Sequence, residues 1–233
     1  MTSVRNLTEH NPFPIKVYTL YFVVMIATIY GITPLISFLL TATLLAAARK
    51  WGKSGAFTYF LPTIVPITVG LIVGFSPPVV GLFIGLTIIG ASKIFSGKGK
   101  LVEYLGFLAA GLVFSLIGFR IQFIQMAMTG DYVYFTWLSI PLTVAWLLVI
   151  SRSVEFVHHE LDKEKWRLFV ITLLFIALSF LLTVVLQQDQ KLITAFQLAL
   201  AFVGTSAGLL VFGRREKLPT IVFRQMGFIL ASL

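Results

Sequence analysis

Seven apolar runs, each about as long as one bilayer crossing, dominate this chain and leave few folds open to it. The hydrocarbon core of a membrane takes about 20 apolar residues of helix to cross. Runs of that order cover 17–40, 57–75, 79–95, 101–119, 132–150, 168–186 and 192–212, and a shorter apolar tail covers 220–233. Inside lipid every backbone N–H and C=O must be bonded within the protein, which restricts runs of this length to helices. The expected fold is all-α, a polytopic integral membrane helix bundle of seven full transmembrane helices plus a short C-terminal apolar helix. Residues 1–233 read as a single membrane domain, with a polar N-terminal segment at 1–16 and cytoplasmic loops at 151–167 and 213–219. The first run stays apolar as far as Ala48, longer than one crossing, so Pro34 is expected to kink it or to divide a span from an interfacial extension. Residues 1–14 lack the basic start, short apolar core and small-residue cleavage site of a signal peptide.

The net charge of +9 does not point to nucleic acid, because the cations punctuate the apolar runs instead of lining one solvated face. The segments after the first, third, fifth and seventh runs hold Arg49, Lys50 and Lys53; Lys93, Lys98 and Lys100; Arg152, Lys163, Lys165 and Arg167; and Arg214, Arg215, Lys217 and Arg224. The N-terminal segment and the alternate loops hold only Arg5, Lys16, Arg120 and Lys191. The positive-inside rule then places the N-terminus outside and the cation-rich loops in the cytosol. Trp51, Trp137, Trp166, Tyr132 and Tyr134 fall at expected span ends, as an interfacial aromatic belt does. Small residues at G-x-x-x-G spacing, Gly81/Gly85 and Gly204/Gly208, predict close helix–helix approach. Cysteine is absent, which excludes disulfides and thiolate metal sites.

One helix carries a more particular signal. The sequence WLSIPLTVAW over 137–146 resembles the fifth span of the polyprenyl-phosphate N-acetylaminosugar-1-phosphate transferases, the glycosyltransferase family 4 type. The likeness extends to KLVEYLGFLAA at 100–110 leading to GFRI at 118–121, and to PTIVF at 219–223, which is similar to the family's P-A-K-I-F-M. Residues from about 85 to 233 can be laid on that family; the N-terminal part matches in hydropathy alone. The resemblance implies an N-out membrane enzyme that uses Mg²⁺ and carboxylates to load a UDP-sugar phosphate onto a polyprenyl phosphate.

The implied catalytic positions are occupied by other residues. The family's Asp-Asp pair after the third span falls on Ser92 and Lys93. Its two Asn in N-A-V-N-L-x-D-G-x-D-G fall on Arg152 and Glu155, and its two Asp on His158 and Leu161, with Asp162 one residue out of register. The later G-D-T-G element and the His-containing loop have no counterpart, so the chain reads as a degenerate and truncated member. Mg²⁺ demands hard oxygen ligands in near-octahedral geometry, and phosphoryl transfer is mostly positioning plus neutralisation by that metal. The expected function is therefore that of a catalytically inactive homologue, a structural or assembly subunit or lipid-binding scaffold in the bacterial cytoplasmic membrane. It needs no cofactor and works with membrane lipids (a polyprenyl or phospholipid chain) and other membrane subunits.

Two alternatives stand beside it. An active transferase with a rearranged site around His158, Glu160 and Asp162 would need Mg²⁺; His158 and Asp162 share a helix face at i, i+4 and are weak metal candidates against a solvated helix start. A small transporter or channel is the other, although no span has a charged residue near its centre. Lys53, Lys98, Lys100, Arg152, Arg214, Arg215 and Arg224 are the candidates for lipid headgroup or phosphate contact, the competing role being to set topology. Arg224, inside a short apolar stretch, is expected to snorkel to the headgroups, and Glu103 to pair with Lys100 at the start of the fourth span.

Overall fold

A computed structural model describes residues 13–50, 56–96, 99–117, 119–125, 130–160, 170–174, 176–178, 180, 192–213 and 218–233. The regular secondary structure of the described chain is helical apart from one small hairpin, so the all-α expectation holds. In order it forms α1 (Phe13–Tyr30), α2 (Thr33–Lys50), α3 (Ala56–Tyr59), a 3₁₀ turn (Leu61–Thr63), α4 (Ile64–Val73), α5 (Pro77–Phe95) and α6 (Lys100–Ile117). Strands β1 (Phe123–Gln125) and β2 (Tyr132–Tyr134) follow, then α7 (Ser139–Glu160), α8 (Ile193–Phe212) and α9 (Thr220–Ser232). Among the described residues, four helices are long and apolar enough to cross a membrane, at 77–95, 100–117, 139–157 and 193–212. The protein is a helical membrane protein. Most of the expected sixth span, 168–186, lies outside the described residues; 170–174 is helical, with Val170, Leu173 and Leu174 buried.

Several boundaries differ from the sequence expectation, each for a local reason. The long first run divides at Gly31 rather than at Pro34. Gly31 has φ +106°, a left-handed conformation that glycine reaches without steric cost, and its N–H closes α1 on the Ala27 carbonyl. Pro34 then sits in the first turn of α2, where its missing N–H leaves no bond unmade. The run 57–75 is no single helix either: α3, the 3₁₀ turn and α4 break it, with Pro62 in the turn and Pro66 in the first turn of α4. The run 132–150 begins as strand, because Tyr132–Tyr134 pairs antiparallel with Phe123–Gln125, and the helix starts only at Ser139. At its other end α7 continues through ten residues that were expected to be loop, to Glu160, since 151–160 contains neither Gly nor Pro.

Packing explains which helices are central. α8 presses on α2 through small residues: a Cβ on Gly204 would lie 2.1 Å from the Pro34 carbonyl oxygen, and one on Gly208 2.8 Å from Thr41 Cβ. The G-x-x-x-G reading of that pair thus corresponds to a backbone contact. α5 and α6 form an antiparallel pair, with Gly106 against Ser92 and Gly85 against the Ala110 carbonyl. α9 is only 13 residues long, about 20 Å of helix. It is buried from Ile221 to Ile229 and wedged between α5 and α7, its Gly227 against the Ser151 backbone. The Trp146 indole N–H donates to the Ala231 carbonyl at 3.1 Å, tying the end of α9 to α7. Large side chains left outward, such as Tyr18, Tyr21, Leu71, Leu101, Leu105 and Val149, form the surface a bilayer would solvate.

Candidate functional site

At the end of the bundle opposite the hairpin, five charged side chains from four helices join in one chain. Local sequence puts each at the same level. Lys93 lies in the last turn of α5 and Glu103 in the first turn of α6, the ends of the helix dipoles that favour their signs. Arg152 and Glu155 are one turn apart near the end of α7, and Arg224 is the fifth residue of α9.

Arg224 is the centre. Its residue is 4% exposed, and its guanidinium meets two carboxylates. Nε donates to Glu155 Oε2 at 2.7 Å, Nη2 donates to the other oxygen of the same carboxylate, and Nη1 donates to Glu103 Oε1. The Glu155 contact is a two-pronged fork, the geometry that suits a planar guanidinium. Outward of this pair the chain continues on both sides. Lys93 Nζ donates to Glu103 Oε2 at 2.9 Å, and Arg152 Nη1 donates to Glu155 Oε2 at 2.7 Å. Two rings flank it: Arg152 lies over Tyr104 at 4.7 Å from the ring centroid, and Arg224 over Phe107 at 5.7 Å. Beneath it Gln225, fully buried, donates its amide to the Leu86 carbonyl at 3.0 Å.

Two expectations are corrected here. Arg224 does not snorkel to a headgroup; a buried guanidinium needs charge compensation, and Glu103 and Glu155 accept from its Nε, Nη1 and Nη2. Glu103 does not pair with Lys100, which is exposed at the first position of α6; it turns inward to Lys93 and Arg224. The sequence contained a signal for the buried pair. A helix apolar on all sides is an interior helix, and a lone cation on it requires an acid from elsewhere.

Of the positions that the transferase resemblance marks as catalytic, Lys93, Arg152 and Glu155 come together in this chain. Ser92 lies beside them, buried at the α5–α6 contact with its hydroxyl donated to the Ile89 carbonyl at 2.9 Å. His158 is in the last turn of α7, but its side chain lies outside the described residues, as do Lys53, Lys98, Leu161, Asp162, Arg214 and Arg215.

Mg²⁺, the metal implied by the resemblance, does not fit this donor set. The two carboxylates face each other across a guanidinium that occupies the space between them; Lys93 binds the second oxygen of Glu103, and Arg152 shares Glu155 Oε2 with Arg224. Three cations against two acids leave a surplus positive charge where a divalent ion would need several oxygens. Among the described residues no group of three or more His, Cys, Asp or Glu side chains is placed to hold a metal. No protein-family model matches the chain, and neither a curated protein nor a solved structure does.

Proposed function

We propose that this protein is a catalytically silent homologue of the membrane sugar-1-phosphate transferases, serving as a structural or assembly subunit and lipid-binding scaffold of the bacterial cytoplasmic membrane. The observation that carries this reading is Arg224 seated between Glu103 and Glu155. Transfer of a phosphosugar from a nucleotide needs a metal to neutralise the migrating phosphates and a base to activate the acceptor. A guanidinium is always protonated and has no acceptor lone pair, so Arg224 can be neither metal ligand nor base. It also holds in place the two acids that could have been either. What remains is a helix framework cross-braced by ion pairs, with its cation-rich end toward the cytosol by the positive-inside rule.

Two measurements test the reading. Purified protein incubated with UDP-sugar, polyprenyl phosphate and Mg²⁺ or Mn²⁺ should release no UMP; metal-dependent release that Asp162→Asn abolishes would overturn it. Extraction from native membranes in mild detergent should yield a complex with another membrane protein, whereas a monomer free of both partner and lipid would refute the scaffold role.

A further inference from the structure

The ion-pair chain has an inner and an outer part, and the two differ in what they leave available. Arg224 is sealed, but the side chains of Lys93 and Arg152 are 39% and 40% exposed. Each outer cation spends one donor on a carboxylate: Lys93 Nζ on Glu103, Arg152 Nη1 on Glu155. Among the described residues, Arg152 Nη1 donates to Glu155 and the Nε and Nη2 groups make no hydrogen bond, while the guanidinium carbon lies over the Tyr104 ring. The chain of three cations and two acids carries one uncompensated positive charge, and it resides at this rim. Directly along α6 from Tyr104, Leu101, Leu105, Leu108 and Leu112 are exposed at i, i+4, i+7 and i+11. They form an apolar track about 16 Å long on one helix face.

We propose that Arg152 and Lys93, with Tyr104, seat the headgroup phosphate of an anionic phospholipid whose acyl chain lies on the α6 leucine track. The juxtaposition of a surplus cation with an outward apolar track selects an amphiphile over a soluble anion. A phosphodiester accepts two parallel N–H bonds from the Nε–Nη2 edge of a guanidinium, whereas in a zwitterionic headgroup the lipid's own cation already neutralises the phosphate. The inference rests on the scaffold reading for one point, that this rim faces the anionic cytosolic leaflet.

The test uses the full chain, delipidated in neutral detergent and titrated with phosphatidylglycerol or phosphatidylcholine of identical acyl chains, with bound lipid counted by native mass spectrometry. Phosphatidylglycerol should bind about tenfold more tightly than phosphatidylcholine. Arg152→Gln and Lys93→Gln should each weaken it about fivefold, the worth of one basic residue at an anionic surface. Lys16→Gln, which removes an exposed cation from α1, should change nothing. Both Gln variants keep Arg224 between its two acids, so their unfolding midpoints should stay near the parent's. Should Arg152→Gln nevertheless unfold, Arg152→Lys, which keeps the charge and loses the two-pronged N–H edge, should still bind more weakly than the parent. Equal binding of the two lipids, loss of affinity in Lys16→Gln to the same degree, or displacement of the lipid by inorganic phosphate would overturn the proposal. UMP release, in contrast, would sink the non-catalytic reading and leave a lipid preference standing.

Discussion

Arg224→Met removes the hub of the ion-pair chain while leaving an unbranched apolar side chain in place of the arginine stem. Its cost follows from what is left behind. Glu103 and Glu155, whose side chains are 13% and 16% exposed, lose their shared partner and retain only Lys93 and Arg152. Those outer pairs have a cation about 40% exposed, so solvent screens them and each contributes about 0–1 kcal/mol. Removing one partner of a buried pair costs about 3–5 kcal/mol, mostly the penalty of stranding the other charge. For a chain of this length each kcal/mol moves the unfolding midpoint by about 2–4 °C, so Arg224→Met should lower it by about 6–20 °C. The assay is tryptophan fluorescence against temperature in detergent, read as an apparent midpoint at one scan rate. Replacing the whole cluster, Arg224→Met with Glu103→Gln and Glu155→Gln, strands no charge and should recover most of the loss, to within about 2 kcal/mol of the parent. A single variant as stable as the parent, or a triple variant no better than the single, would refute the claim that Arg224 is held by these two acids.

Three other outcomes follow from packing. Gly204→Ala should destabilise by about 1–3 kcal/mol, because its Cβ would sit 2.1 Å from the Pro34 carbonyl oxygen and backbone must yield; Gly99→Ala, with nothing within 4 Å, is the matched control in the same thermal assay. Gly106→Ala should separate α5 from α6, since its Cβ would lie 2.3 Å from Ser92 Cβ, and should lower the midpoint more than Gly99→Ala does. Trp146→Phe keeps most of the ring but loses the N–H bond to Ala231, and should cost about 1 kcal/mol in the same measurement.

What the sequence disclosed depends on how far apart the interacting residues are along the chain. Hydropathy marked the four helices that are long and apolar enough to cross a membrane among the described residues, because such helices are defined by composition within about 20 residues. The Gly204/Gly208 spacing foretold a close helix approach for the same reason, being a pattern within about one turn of helix, but not that α2 would be the partner. Element ends were less legible: Gly31 and Pro34 are both breakers, and only backbone geometry assigns one to ending α1 and the other to starting α2. The site was hardest. Glu103 has Lys100 three residues away, the pairing that local rules favour. Its actual partners are Lys93, across the α5–α6 turn, and Arg224, 121 positions later. The transferase-like register named Lys93, Arg152 and Glu155 as occupants of one site, but it carried no information on what would bind them once the acids were gone.

That replacement has a consequence that can be measured with a metal ion alone. If Arg224 occupies the place between two carboxylates that a cation would otherwise fill, deleting it should open that place. In Arg224→Met the cluster falls to two acids and two cations; adding Lys93→Gln leaves two acids and only Arg152, one net negative charge between α6 and α7. Hard divalent cations bind such carboxylate oxygens, and ligand binding to the folded state alone stabilises it by RT ln(1 + [L]/Kd), about 1.4 kcal/mol at tenfold excess over Kd. The double variant should therefore gain a rise of about 3–6 °C in its midpoint on adding millimolar Mn²⁺ in place of EDTA. The parent should show none, because a fixed guanidinium repels the ion and already satisfies both carboxylates. A third variant, Arg224→Met with Lys93→Gln, Glu103→Gln and Glu155→Gln, should lose the response. Mn²⁺ stabilisation of the parent equal to that of the double variant would mean that the ion binds elsewhere and that Arg224 stands in for nothing. A double variant indifferent to Mn²⁺ would make the buried arginine a packing element of α9 and no substitute for a metal.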